Sequence, residues 1–242
     1  MSEACKISAN ALKLAGTLVK PGISTFEIDR IVREYIEKMG AVPSFLDYPG
    51  PGGKFPASTC ICLNEAVVHG IPSKSEILKD GDIVDIDIGA FYKGYHGDTA
   101  WTFVCGTVPK GTQQLLDVTR DCLFKGIETA VPGNRIGDIG HAVQEYAEAH
   151  GYSVVRDFVG HGVGARLHED PSVPNFGTAG RGPRLLPGMT IAIEPMINQG
   201  TKDVKILSDG WKTVTRDGKL SAHFEHTIAI TDNGPVIMTE PD

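Results

Sequence analysis

The acidic side chains of this sequence fall where chemistry could use them. Residues 82–88 read D-I-V-D-I-D-I, an alternation in which only Val84 is out of phase. On a strand, Asp85 and Asp87 then share one face while Ile86 and Ile88 cover the other. After Gly89 the chain turns through Tyr92-Lys93-Gly94-Tyr95 and returns with Asp98, so a hairpin would set Asp98 beside Asp87 on the same face. Two further acids, Glu194 and Glu225, end or interrupt equally strand-like apolar runs. One such pair of acids reads as a solvated hairpin. Four carboxylates gathered in one cluster could not all stay ionised without cations, because like charges repel strongly where water is excluded. Carboxylates with one imidazole form a hard, oxygen-rich donor set that suits Mn, Fe or Co. Two such ions side by side can hold a hydroxide and a carbonyl oxygen together, which is hydrolytic chemistry.

The histidines add to this pattern. His161 and His168 lie in a glycine-rich stretch, F-V-G-H-G-V-G-A-R-L-H, and His69 lies in V-V-H-G-I-P. Glycines let backbone approach a metal or a substrate closely. A lone histidine in such a setting is more often structural or exposed. Beside four strand acids that reading is poor for His69, His161 and His168, and it stands for His96, His141 and His150.

The elements that must carry these residues occur twice. Pro21-Gly22 and Pro132-Gly133 both open helical patterns, and at an offset of 111 positions Ile28 meets Ile139, Val32 meets Val143 and Gly40 meets Gly151. Ser24 with Glu27 reads as a capping box, and the two glycines read as helix stops. Each segment follows another helix-like stretch, about residues 3–19 and 112–130. Leu78–Asp87 lies over Leu185–Glu194, acid on acid. Duplication predicts an α+β fold of two halves, about 1–110 and 111–242, related by a pseudo-twofold axis, with facing antiparallel sheets and outer helices. Together they make one catalytic domain, 1–242, and Pro49-Gly50-Pro51-Gly52-Gly53 reads as a loop tip.

Bulk properties bound the rest. With 242 residues, 41% of them hydrophobic, the chain can bury a sizeable core, and no apolar run approaches the roughly 20 residues of a membrane span. The N-terminus lacks a signal-peptide pattern. Five cysteines without framework spacing fit a reducing, cytoplasmic setting. A formal charge of −7 argues against DNA as a partner.

With these residues in hand, the chain resembles the type I methionine aminopeptidase family over essentially its whole length. The matching stretches are Asn64–Pro72, Asp85–Asp87, Gly97–Thr99, Gly160–His168, Ile193–Pro195 and Phe224–Thr227. The resemblance implies the pita-bread fold and removal of the initiator methionine from nascent polypeptide N-termini when the second residue is small. It implies two divalent metal ions (Co, Mn or Fe) held by Asp87, Asp98, His161, Glu194 and Glu225, with Asp98 and Glu225 bridging. The nucleophile would be the bridging water and Glu194 its proton acceptor. His168 would bond the scissile peptide, and His69 the backbone beyond it. Tyr48, Phe55, Cys60 and Trp211 would line the methionine pocket, and Asn64 and Ser221 match positions that bind a monovalent cation. Three departures stand out: Leu167 where the family usually has Phe, His223 where it often has Gln, and a long glycine-proline run from Pro49 to Lys54.

Two other classes fit the sequence less well. Proline-specific peptidases of the same fold carry a separate N-terminal domain, for which there is no room before residue 3. A degenerate peptide-binding module would have lost metal ligands, whereas all five are present. A zinc-binding extension and the helical insert of type II enzymes are also absent, which favours a compact bacterial form. Finally, residues 201–219 carry Lys202, Lys205, Lys212, Arg216 and Lys219 against Asp203, Asp209 and Asp217. This segment reads either as a solvated loop or as a contact with ribosomal RNA, made through phosphates.

Overall fold

The repeated helical pattern folds as two helix pairs in the computed structural model, which describes residues 1–242. In the first half α1 (Ser2–Leu18) and α2 (Thr25–Lys38) precede β1 (Val42–Pro43), β2 (Pro49–Gly50), β3 (Gly53–Lys54), β4 (Thr59–Leu63), β5 (Ala66–Val68), β6 (Ile83–Tyr92) and β7 (Tyr95–Val104). In the second, α3 (Lys110–Thr129) and α4 (Ile136–Ala149) precede β8 (Ser153–Val154), β9 (Gly160–Gly162), β10 (Glu169–Val173), β11 (Thr190–Ile193) and β12 (Met196–Asn198). The chain ends with β13 (Val204–Ile206), β14 (Thr213–Thr215), β15 (Ser221–Thr231) and β16 (Gly234–Ile237).

The sequence offset survives in the packing. Ile28, Val32 and Ile36 of α2 are fully buried, as are Ile139, Val143 and Ala147 of α4, each set spaced by four so that it forms one stripe. Both helices also stop alike. Gly40 (φ 74°) and Gly151 (φ 82°) take left-handed backbone, and the N–H groups of Ala41 and Tyr152 donate back to the carbonyls of Ile36 and Ala147. This is the closure that glycine permits at a helix end. The starts differ, and the expected capping box is only half made. Ser24 Oγ accepts from the Glu27 N–H at 3.2 Å, but the Glu27 carboxylate turns outward to Arg30 at 2.6 Å. In α4 the carboxylate half is present instead, with Asp138 accepting from the Arg135 N–H at 2.7 Å.

Between β6 and β7 the turn is made by Lys93 and Gly94, both at positive φ (49° and 86°), as a two-residue hairpin with right-handed strand twist demands. Asp87 lies opposite Ala100 and Asp98 opposite Gly89, so the two acids are diagonal neighbours on one face. The main sheet runs β1-β6-β7-β15-β11-β9-β10, with β4, β8, β12 and β16 attached to it. Its two halves join where β15 pairs with β7, Phe224 opposite Trp101 and Glu225 opposite Ala100. Each helix pair covers its own half. One core joins Ile28, Val32 and Ile36 to Ile86 and Ile88; the other joins Leu123, Ile139 and Val143 to Ile191, Ile193 and Ile228. The helices therefore pack on the face opposite the carboxylates.

The basic segment 201–219 is not a loose loop. Its β13 and β14 form a hairpin that pairs with β5 in a separate three-stranded sheet. The Asp209 carboxylate accepts from the N–H groups of Trp211 and Lys212, and Lys212 is tied to Glu76 at 2.7 Å. Backbone pairing and a side-chain turn thus fix the segment that delivers Trp211.

Equal burial of the two stripes has a consequence for stability. Ile28→Ala and Ile139→Ala should each lower unfolding free energy by ~2–5 kcal/mol in a chemical denaturation series. Ile206→Ala, at an exposed site (55%), should stay within about 0.5 kcal/mol. A loss confined to one of the two helices would contradict the equivalence of the halves.

Candidate metal centre and substrate pocket

Five adjacent strands each bring one side chain to the same place. In sheet order they are β6 with Asp87, β7 with Asp98, β15 with Glu225, the end of β11 with Glu194, and β9 with His161. Register explains the convergence. Glu225 faces Ala100, Ile193 faces His226, and Gly162 faces Ile191, so all five project from the face away from the helices. They line one cavity of about 250 Å³ together with His69 and His168. Ligand atoms of Asp98, His161 and Glu225 lie within 4.8 Å of one another. His161 Nε2 is 3.7 Å from Asp98 Oδ2 and 3.6 Å from Glu194 Oε1.

The electrostatics of this arrangement are lopsided. His161 Nδ1 lies 2.9 Å from the Gly162 carbonyl, which can only accept, so Nδ1 carries the proton and the Nε2 lone pair points at the carboxylates. Burial lowers the pKa of His161 and keeps the ring neutral. Burial raises Asp98 to about 7. It pushes Asp87, Glu194 and Glu225 well above the usual carboxylate range, with neighbouring carboxylates adding to the shift. No donor reaches Asp87 Oδ1, Asp98 Oδ1 or Glu225 Oε1, and each such buried, unpaired acceptor costs about 1–3 kcal/mol. Acceptors therefore face acceptors across the site. A divalent cation satisfies them together, and this oxygen-rich set with one imidazole suits a hard or borderline ion.

Beside the acids the cavity is apolar. Phe45, Phe55, Ala57, Cys60, Leu167 and Trp211 form a cluster with Tyr48 and Ile71 against it, and Phe55 meets Trp211 edge to face at 5.1 Å. The glycine-proline run is folded as the β2–β3 hairpin lying on Trp211. At Gly50 and Gly52 a Cβ would overlap the Trp211 ring, so glycine is required for that close approach. Tyr48 Oη lies 2.6 Å from His168 Nδ1, which makes Tyr48 a partner of His168 as well as a pocket wall. His69 is held in left-handed backbone (φ 59°), edge-on to Phe158 and Trp211. Burial lowers His69 to about 4, and burial with the neighbouring imidazoles lowers His168 to about 3. Asn64 and Ser221 sit together outside this cavity, the Ser221 N–H donating to the Asn64 carbonyl at 2.9 Å.

Some neighbours of the site were not legible in the sequence. Phe45 lines the pocket but follows a proline and a serine in an irregular stretch, where periodicity gives no face. In sequence Asp85 is a face-mate of Asp87 and His223 a departure from the family pattern; the fold pairs them at 3.3 Å, a contact across 138 positions that no local pattern announces.

A sheet face of carboxylates under an apolar pocket defines a metal-dependent peptidase of the pita-bread architecture, and comparison with known proteins agrees. Residues 1–232 match metallopeptidase family M24. The chain is 54% identical over 239 residues to a methionine aminopeptidase of Clostridium perfringens, covering 99% of this chain and 94% of that one. It is 52% identical, with the same coverage, to methionine aminopeptidase 1 of Bacillus subtilis. The crystal structure of methionine aminopeptidase from Thermotoga maritima superposes with a TM-score of 0.96 at 45% identity, covering 99% of this chain and 95% of that one. The chain belongs to the methionine aminopeptidases of family M24, metallopeptidases that remove the initiator methionine.

Leu167, buried in the pocket cluster, gives the substrate side a direct test. Leu167→Phe should raise the kcat/KM ratio for methionine over leucine at the N-terminus by on the order of tenfold, since apolar pocket differences of this size are worth ~1–3 kcal/mol. An unchanged ratio would show that Leu167 does not shape the selectivity.

Proposed function

We propose that this chain, as a single catalytic domain over residues 1–242 with halves at about 1–110 and 111–242, removes methionine from N-termini whose second residue is small, using two divalent ions. The observation that carries the reading is the convergence of four carboxylates and one imidazole from five adjacent strands, with buried acceptors on Asp87, Asp98 and Glu225 that no donor reaches. Asp87, Asp98, His161, Glu194 and Glu225 would hold the ions. When bound, the ions supply Lewis acidity, acidifying a water and polarising the scissile carbonyl.

The remaining steps belong to the chain's own residues. Tyr48, Phe55, Cys60 and Trp211, with Phe45 and Leu167, receive the methionine side chain and exclude water around it. Glu194, in its ionised form and made a stronger base by burial, would take up the proton released from the attacking water. With its phenol kept un-ionised by burial, Tyr48 would donate its hydroxyl proton to Nδ1 of the neutral His168 ring, 2.6 Å away. That places the remaining ring proton on Nε2, ready to donate to the scissile carbonyl as its oxygen gains charge. His69 bonds the peptide backbone beyond the cut, and its fixed left-handed backbone supports a set orientation.

Two finer readings attach to the same chain. The Asn64 carbonyl, which accepts once from Ser221, keeps a second lone pair that would serve a monovalent cation. Lys202, Lys205, Arg216 and Lys219 remain exposed on the β13–β14 hairpin, and they would make weak, salt-sensitive contacts to ribosomal RNA as nascent chains emerge. Lys212, engaged with Glu76, would not take part.

The test of function is release of methionine from Met-Ala-Ser against Met-Lys-Ser and Xaa-Pro peptides, before and after chelation. Activity should be confined to the first peptide, vanish on chelation and return with Mn, Fe or Co. In the same assay His168→Ala should retain its metal while kcat falls by ~10²–10³-fold, as for loss of an oxyanion donor. Full activity in a sample shown metal-free by elemental analysis would overturn the reading.

A further inference from the structure

A second row of polar side chains lies behind the carboxylates. Asp85 is opposite Thr102 in the β6–β7 hairpin. The Thr102 hydroxyl accepts from the His223 N–H at 3.0 Å and donates to the His223 carbonyl at 2.7 Å. Asp85, Thr102 and His223 therefore sit in register on three neighbouring strands, one step behind Asp87, Ala100 and Glu225. His223 is sealed from solvent (1% exposed), and Asp85 nearly so (4%). Neither lines the substrate cavity.

The His223 ring is pinned at one nitrogen and aimed at the other. Nδ1 lies 3.3 Å from Asp85 Oδ2, and Nε2 lies 3.8 Å from Glu194 Oε2. Nε2 has no hydrogen-bond partner although it is buried, and a small rotation of the Glu194 carboxylate would provide one. Glu194 presents its other oxygen, Oε1, to His161. The two oxygens of this carboxylate thus face imidazoles on opposite sides.

We propose that Asp85 and His223 are positioning residues: His223, oriented by Asp85, holds Oε2 of Glu194 so that Oε1 faces the His161 side of the metal site. The inference rests on the metal-site reading above. Partners one step behind a ligand fix its direction, and their loss weakens metal binding even though they touch neither metal nor substrate.

The experiment is isothermal titration of the demetallated full chain with Mn(II), with cooperative thermal melting recorded for each variant. His223→Ala and Asp85→Ala should each weaken binding of the ion by about 10–100-fold. The double variant should be no worse than the weaker single one, because the two act as a unit. His223→Gln, whose amide can donate to both carboxylates, should bind within a few-fold of the parent. If His223→Ala does not fold, Asp85→Ala and His223→Gln carry the comparison. Parental affinity in folded Asp85→Ala, or additive losses in the double variant, would overturn the proposal. Asp98→Asn serves as the reference: if it alone loses metal, only the positioning role fails; if it too binds like the parent, the metal-site reading has failed.

Discussion

Oxygen lone pairs that have nothing to accept from set the terms for this protein. Asp87, Asp98, Glu194 and Glu225 bring carboxylates to one spot, and the Nε2 lone pair of His161 is turned toward them by the bond from Nδ1 to the Gly162 carbonyl. Such a group of acceptors pushes itself apart unless a cation sits among them. Strand pairing holds it together. Because each acid sits on a separate antiparallel strand, none can withdraw without breaking a ladder, and threonine hydroxyls stitch the ladders further. Thr99 donates to the Glu225 carbonyl and Thr227 to the Asp98 carbonyl. The helix pairs, packed on the opposite face, supply the burial that keeps those strands in place.

The same sheet allows chemistry and selectivity to be adjusted separately. The acids occupy its centre, where ladder geometry leaves little freedom. The apolar pocket comes largely from outside it, from the β2–β3 and β13–β14 hairpins, which belong to separate small sheets, and the stretch before β10, which bring Tyr48, Phe55, Leu167 and Trp211. Changes such as Leu167 or the glycine-rich run on Trp211 can therefore alter the shape of the pocket without disturbing the carboxylates. His168 joins the two zones, touching His161 on one side (ring centroids 4.3 Å apart) and Tyr48 on the other.

What was legible in the sequence follows from this division. Alternation placed Asp85 and Asp87 on one strand face, and the turn residues placed Asp98 beside them, because both are local rules with a period of two. The duplication was visible because Ile28, Val32 and Gly40 have counterparts at Ile139, Val143 and Gly151, positions fixed by burial and by left-handed backbone. Long-range pairs were not visible. Nothing local marks the Asp85–His223 contact, which strand order decides, or the Tyr48–His168 bond, which joins the stretches just before β2 and β10. The basic stretch from Lys202 to Lys219 reads as a loop in sequence because its two strands have three residues each, too few to establish an alternation. The half-made capping box at Ser24 shows the limit of motif reading, since Arg30 competes for the Glu27 carboxylate.

The account stands or falls on whether cations hold this cluster together. Thermal unfolding of the demetallated chain with and without Mn(II), for the parent and Asp98→Asn, measures that directly. A cation present at about 100 times its Kd contributes ~2.7 kcal/mol to stability, which for a chain of this size is roughly 5–10 °C in Tm. The parent should show that rise. Asp98→Asn, relieved of one buried carboxylate, should melt above the metal-free parent and gain little from Mn(II). A parent whose Tm ignores the metal, or an Asp98→Asn variant that melts below the metal-free parent, would contradict the account.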